Sequence, residues 1–349
     1  MKKTILITGG AGFIGSHLCE ELLKENYKII SLDNFHEFYS YKIKIRNIFE
    51  SLNRLEDLKK IDIENSNLSK DEIIKKVSQE INSEDYKLYY GDIRDEKIVE
   101  NIFSVEKPEI IINLAGLAGV RPSLLQPMEY EDVNIKGFLN LLENCKKFQI
   151  KKFIQASSSS VYGNNKKVPF SEKDIVDFPI SPYAATKKSG EILGHVYSHL
   201  YGVNMIQLRF FTVYGERQRP DLAIHKFTKK IINDEEIEMY GDGSSSRDYT
   251  YVKDIVQGIK KSIDYLDKNK GVYEILNLGN SNTVSLKEMI STIEETLNKK
   301  AKIKEMPKQS GDVDRTFADI SKAKEMIKYN PQTIFKDGIK NFINWYKKI

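Results

Sequence analysis

The stretch KTILITGGAGFIGSHLCEELL, residues 3–23, constrains the fold more than any other. An apolar run leads into glycines and then into an amphipathic helical pattern. Gly9, Gly12 and Gly15 stand three apart at the junction. A strand, a tight glycine turn and a helix in that order favour an α/β chain with a parallel sheet. The glycines let the backbone turn sharply and approach a ligand closely, and the helix N-terminus that follows suits a diphosphate. Phe13 and Ile14, at the helix start, belong to the same candidate dinucleotide site.

The pattern repeats. Short apolar runs at 3–8, 28–32, 87–90, 110–113, 152–156 and 203–209 alternate with helical patterns such as 13–24, 95–103 and 137–148. Continuous apolar strands separated by helices predict a Rossmann-type doubly wound parallel sheet covered on both faces. Beyond about residue 215 strands become sparser and polar loops longer. Two helices are predicted there, at 285–297 with Ser285 and Glu288 as a capping box, and at 337–348. The expected division is 1–185 as a dinucleotide-binding domain that also receives 203–215. Residues 186–349 are expected to form mainly a smaller α/β substrate lobe, interleaved with the first. Residues 47–85, rich in Lys, Glu, Asn and Ser, predict a helical surface insertion.

Several classes are excluded. The 54 basic and 50 acidic residues are spread along the chain, which disfavours nucleic acid. The two cysteines have no metal-ligand spacing, so no metal is expected. The N-terminal apolar run is too short for a signal peptide, and no stretch is long enough to span a membrane. A cytoplasmic protein is expected.

Asp33 closes the second strand, eighteen residues after Gly15. A carboxylate there can accept both adenosine ribose hydroxyls and repel a 2′-phosphate, which favours NAD over NADP. Asn34, Asp92, Ile93, Leu114, Ala115 and Gly116 also follow strand ends. They belong to the same carboxyl edge of the sheet, where open α/β folds bind ligands. Further along, ASSSSVYG places Ser157–Ser160 after a strand, where a linker is unexpected. In SPYAATKKSGEIL, Ser181 suits an N-cap and Pro182 the first helical position. Tyr183 and Lys187 then share a helix face. A free phenol titrates at about 10, and a nearby ammonium favours the phenolate.

These motifs together resemble the extended short-chain dehydrogenase/reductases, specifically the NAD-dependent nucleotide-sugar 4-epimerases. The resemblance covers nearly the whole chain through TGGAGFIG, LDNF, GDIRD, NLAG, SSSSVYG, SPYAATK, RFFTVYG, SRDYTYVKDI and GDVDRTFADI. It implies Ser158 as the catalytic serine, Tyr183 as the base and Lys187 as the ribose-binding lysine. It also implies a dimer built on helices 137–148 and 183–201, with Phe138, Leu141, Leu193, Val196 and Leu200 as apolar residues beyond one face. Related dehydratases and decarboxylases carry acids after this serine. Here Ser159 and Ser160 follow, which leaves oxidation at C4 and return of the same hydride.

DNFHEFYSYKIKIRNI, AGVRPS and RFFTVYGERQRPDLA look like the branch acting on UDP-glucuronate. In that branch Thr212 stands where galactose epimerases carry asparagine. The resemblance points to Arg121, Ser158, Ser159, Ser160, Tyr183, Thr212 and Arg219 around the sugar, Arg247 at the diphosphate and Asp312 at the uridine ribose. Glu216 departs from the usual proline, and the 47–85 segment is longer than the family pattern. Thr316 matches a position that is bulky in some hexose epimerases, and a small residue there leaves room for a larger C5 or C2 substituent, which keeps UDP-N-acetylhexosamine as an alternative substrate beside a UDP-hexose. A non-catalytic NAD sensor on this fold would lack the tyrosine or the lysine, and this chain keeps both.

Overall fold

A computed structural model describes residues 2–61, 63, 67–307 and 314–349. Its central element is a seven-stranded parallel sheet flanked by helices, a Rossmann-type α/β fold. The strands are β1 (Thr4–Thr8), β2 (Lys28–Asp33), β3 (Tyr86–Tyr90), β4 (Ile110–Asn113), β5 (Lys152–Ser158) and β6 (Asn204–Phe210), with Tyr273–Leu278 beyond β6. The order is β3, β2, β1, β4, β5, β6, then Tyr273–Leu278. It reverses direction at β1 and β4, which marks the ligand crevice in such sheets. Register makes this concrete. Thr8 pairs with Leu32 on one side and with Asn113 on the other. The glycine turn, Asp33 and the 114–116 loop therefore leave the sheet at one level.

Burial explains why the strands read as unbroken apolar runs. Ile5, Leu6, Ile7, Ile110, Ile111 and Ile112 have no exposed surface. Helices cover both faces, so no polar alternation is needed. The six strands read from sequence all form, with ends shifted by no more than two residues. The seventh was missed. YEILNL offers only six residues inside the half of the chain where strands looked sparse.

Two compact units can be distinguished. The first comprises Met1–Ser157, Ser181–Leu208 and Ser262–Ile275. Its core joins Leu6, Ile30, Ile102, Phe103, Ile111, Phe138, Leu141 and Phe153. Phe138 and Leu141 are thus fully buried within the subunit, and Leu193 packs partly against the same core, so these do not form an apolar outer face. Ile192, Val196 and Leu200 are exposed instead. The 47–85 segment is helical over much of its described length, with Tyr41–Ser51 running into it and Lys70–Ile81 within it. Ser69 and Glu72 form a reciprocal capping box at the start of Lys70–Ile81.

The second unit comprises Ser158–Ile180, Arg209–Lys261 and Leu276–Ile349. Helices Ala223–Ile232, Leu286–Leu297 and Phe335–Tyr346 supply its buried residues Ile224, Ile231, Met289, Ile293, Ile339 and Phe342. Ser285 caps Leu286–Leu297 by accepting the Glu288 amide. Three small strand pairs complete it. Thr212–Tyr214 runs parallel to Tyr249–Tyr251, and Glu236–Tyr240 parallel to Lys302–Met306. Val284–Ser285 runs antiparallel to Ser246–Arg247.

Candidate active site

The glycine turn leaves no space for side chains. Gly9 has φ +72°, and a Cβ there would lie 2.9 Å from the Ala115 nitrogen. A Cβ on Gly15 would lie 2.2 Å from the Gly9 oxygen. Gly12 precedes helix Phe13–Lys24 and brings no capping side chain. The first amides of the helix are left for an anion. Phe13 is buried in the first turn, and Ile14 is half-buried.

Asp33 is buried at the end of β2, where Oδ2 accepts from the Ala11 amide at 3.1 Å and Oδ1 from the Phe35 amide at 2.8 Å. The carboxylate is thereby fixed against the glycine turn. Lys44 Nζ lies 3.6 Å from Asp33 Oδ1, and both side chains are almost fully buried. Sequence reading missed Lys44. It sits in helix Tyr41–Ser51, eleven residues beyond Asp33, and nothing in local spacing links the two. Asn34 donates to Asp92 at 2.7 Å, and Asp92 accepts three bonds from Arg94. Those bonds hold the Asp92 carboxyl below its usual range against the opposing effect of burial. Ile93 packs where a Cβ on Gly137 would intrude.

The 114–117 loop is tied on two sides. Ala115 donates to Thr8 Oγ1 at 3.2 Å, and Leu117 to Asn134 Oδ1 at 2.9 Å. Asn134 also donates to Thr186 in the Tyr183 helix. This buried asparagine, a second residue missed from sequence, couples the loop to that helix. A Cβ on Gly116 would lie 3.4 Å from Lys187 Nζ. Glycine there keeps the lysine's surroundings open.

Helix Pro182–Tyr201 begins as its sequence predicts, with Ser181 accepting the Ala184 amide and Pro182 in the first turn. Lys187 is buried and donates to the Ala156 carbonyl at 2.9 Å. Burial lowers its ammonium to about 8. Its Nζ lies 5.9 Å from the centre of the Tyr183 ring, so the two share one helix face. Tyr183 also meets Tyr130 edge to face.

The four serines have distinct surroundings. Ser157 is buried and donates to Glu191 at 2.7 Å. Ser158 ends β5, and its Oγ accepts the Ser160 amide at 3.1 Å. Ser159 and Ser160 lie in the short turn Ser159–Tyr162 and are half-buried. The run is a strand end and a helical turn, not a linker.

Among the remaining candidates, Arg121 is exposed on the short helix Val120–Leu125. Thr212 donates its amide to the Asp248 carbonyl at 3.0 Å. Arg219 makes a two-pronged pair with Asp221 at 3.0 and 2.8 Å. Arg247 donates to the Ser246 and Asp314 carbonyls. Glu216 accepts from Tyr251, which shows how an acid is accommodated at that position. Asp312 lies outside the described residues. Among those described, no group of three His, Cys, Asp or Glu side chains could hold a metal.

The NAD dependent epimerase/dehydratase family model matches residues 5–279. The chain belongs to this family. NAD is its cofactor, and the glycine cradle with the fixed Asp33 fits it. The chain is similar to protein MJ1055 of Methanocaldococcus jannaschii, at 45% identity over 99% of this chain and 96% of that protein. It is also similar to a UDP-glucuronate 4-epimerase of Thermodesulfobacterium geofontis, at 40% identity over 98% and 96%. A crystal structure of UDP-glucuronic acid 4-epimerase from Bacillus cereus, in complex with UDP-glucuronic acid and NAD, matches with a TM-score of 0.84. It is 33% identical and covers 99% of both chains.

Proposed function

We propose that this chain interconverts UDP-glucuronate and UDP-galacturonate. At the coarser level it is an NAD-dependent UDP-sugar 4-epimerase, an isomerase. The observation that carries the finer reading is the set Thr212, Arg219 and Arg121, together with hydroxyls in place of acids after Ser158. Ser159 and Ser160 follow it, and neither can act as the acid or base that elimination of water needs. Kinship with UDP-glucuronate 4-epimerases across the whole chain supports the same choice.

In the proposed mechanism Tyr183, as phenolate, takes the proton of the sugar 4-hydroxyl. Ser158 hydrogen-bonds to the same hydroxyl. When bound, NAD supplies the hydride acceptor for C4 and the donor for its return. The Lys187 ammonium would favour the phenolate and hold the cofactor ribose. Gly9, Gly12 and Gly15 would admit the diphosphate of NAD, and Asp33 would hold its adenosine ribose. The planar 4-keto sugar turns over while UDP stays anchored by Arg247 and Asp312. Tyr183 then returns the proton to O4 on the opposite face. A 4-keto uronate is a β-keto acid and loses carbon dioxide readily. Neutral donors from Ser159, Ser160 and Thr212, with Arg121 and Arg219, would hold its carboxylate without an acid that drives the loss.

In quaternary structure we propose a twofold homodimer through the exposed Ile192, Val196 and Leu200 face of helix Pro182–Tyr201. A monomeric mass in light scattering at micromolar concentration would count against it.

The deciding experiment incubates the protein with UDP-glucuronate, UDP-glucose and UDP-N-acetylglucosamine and separates the products. Interconversion of the two uronates with little pentose is expected. Rapid turnover of the neutral sugars with none of UDP-glucuronate would overturn the uronate reading. Tyr183→Phe should lower turnover of the active substrate by about 10²–10⁴-fold while NAD stays bound.

A further inference from the structure

We infer that Asp248 is the positioning residue of the UDP-sugar site, fixing Thr212 and Arg247 through one buried carboxylate. The inference rests on the proposed roles of those two residues. Asp248 has no exposed surface. Its Oδ1 accepts from the Asn280 amide at 2.7 Å and from Thr250 Oγ1 at 3.1 Å. Its Oδ2 accepts from the Ser281 amide at 3.0 Å and the Ala318 amide at 3.1 Å. The main chain is fixed as well. The Asp248 amide donates to Thr316 Oγ1 at 3.2 Å, and its carbonyl accepts from Thr212.

One residue therefore joins four segments. They are the strand carrying Thr212, the Ser246–Arg247 strand, the loop at 279–281 and the stretch at 316–318. A Cβ on Gly279 would lie 2.4 Å from the Ala318 Cβ and 3.0 Å from Asp248 Oδ2, so the two outer segments close directly on the carboxylate. Arg247 immediately precedes Asp248. With Asp248 held by side chain and backbone, the direction in which Arg247 leaves its strand is set.

Four donors divided between two oxygens require a carboxylate. An asparagine would aim an NH₂ group at two amides that need an acceptor. No lysine or arginine is among the donors from the described residues, so there a desolvated anion is held by neutral groups. That arrangement is costly in desolvation. It suits a part whose task is geometry.

The test is Asp248→Asn, with UDP affinity by calorimetry, steady-state kinetics on the sugar that the wild type turns over, and NAD content after denaturation. UDP affinity should weaken and KM rise by about tenfold, the scale of one lost charge-assisted bond. Turnover number should change less than about threefold and NAD content not at all, since binding alone is affected. UDP affinity within twofold of wild type would overturn the inference, as would NAD content falling in step with UDP binding. If Asp248→Asn does not fold, Thr250→Val decides. It removes one of the four donors and should weaken UDP binding in the same direction, and unchanged binding would overturn the inference. Failure of the underlying reading is separable, because a wild-type protein that binds no UDP overturns that reading before any variant is made.

Discussion

Glu106 and Asp248 are both buried carboxylates, and the molecule treats them oppositely. Glu106 ends helix Glu96–Glu106 in the first unit, with its side chain 1% exposed. It accepts from Lys28 Nζ, Lys87 Nζ and the Tyr89 hydroxyl, each at 2.7 Å. Despite the opposing effect of burial, those partners hold its carboxyl down at about 2. Among the described residues Asp248 accepts four bonds, all from neutral groups, and burial pushes it up to about 6. At Asp248 burial outweighs the neutral donors, whereas at Glu106 the ammonium and hydroxyl partners outweigh burial. Glu106 links β2 and β3 to a helix and is fully charged at neutral pH. Asp248 titrates close to it. Lys187 belongs with Asp248 in this respect, because burial brings it down to about 8. Lys187 and Asp248 are thus poised near neutrality, whereas Glu106 is not.

That contrast breaks most visibly in turnover. Lys187→Met keeps the volume and removes the ammonium. Turnover should fall by about 10²-fold or more, the usual scale of a general acid–base apparatus. In the wild type the ammonium is lost as pH rises through about 8, so turnover should show an alkaline limb there. A Lys187→Met variant with near-normal turnover would erase the distinction between poised and structural ions. Glu106→Gln should do the reverse. It leaves Lys28 and Lys87 without their shared anion and should lower unfolding stability by about 1–3 kcal/mol, measured by urea titration. Its turnover should stay within about twofold of wild type, because no reacting atom is involved.

The two carboxylates also differ in how far sequence discloses them. The glycine turn, Asp33, the serine-bearing strand end and the Tyr183–Lys187 face are legible because each is a local pattern. Spacing along one strand, turn or helix decides them. Glu106, Asp248, Lys44 and Asn134 are not legible in that way. Glu106 meets Lys28 across 78 residues, and Asp248 meets Ala318 across 70. A partner so distant in sequence is chosen by sheet order and loop packing, which no window reveals. The misreading of Phe138 and Leu141 has the same origin. Helix periodicity identifies an apolar face but not which surface it meets, and here that surface is the core of the first unit.

The smallest expected effect is the most discriminating, because the two carboxylates should respond to acid with opposite signs. Glu106 has a folded value depressed from 4.5, so its contribution is present above 4.5 and is lost as pH falls towards 2. Asp248 has a folded value raised from 3.8 to about 6. Between those values the folded protein holds a proton that the unfolded chain does not, so stability from this group rises as pH falls from about 6 to 3.8. Its charged or titratable neighbours among the described residues include Arg247 and Tyr249, adjacent in sequence, and Tyr329, whose hydroxyl bonds the Gly279 carbonyl. Burial pushes the Tyr249 phenol up to about 12 and holds the Tyr329 phenol well above 10, so neither titrates in this range. Urea midpoints of the wild type, Asp248→Asn and a Lys28→Met, Lys87→Met double variant should therefore diverge in separate windows. The advantage of wild type over Asp248→Asn should grow by a fraction of about 1–3 kcal/mol as pH falls from 6 to 4. Its advantage over the double variant should shrink below pH 4.5. Midpoint differences that move with the same sign in both windows would mean that Asp248 is held as Glu106 is, by charge.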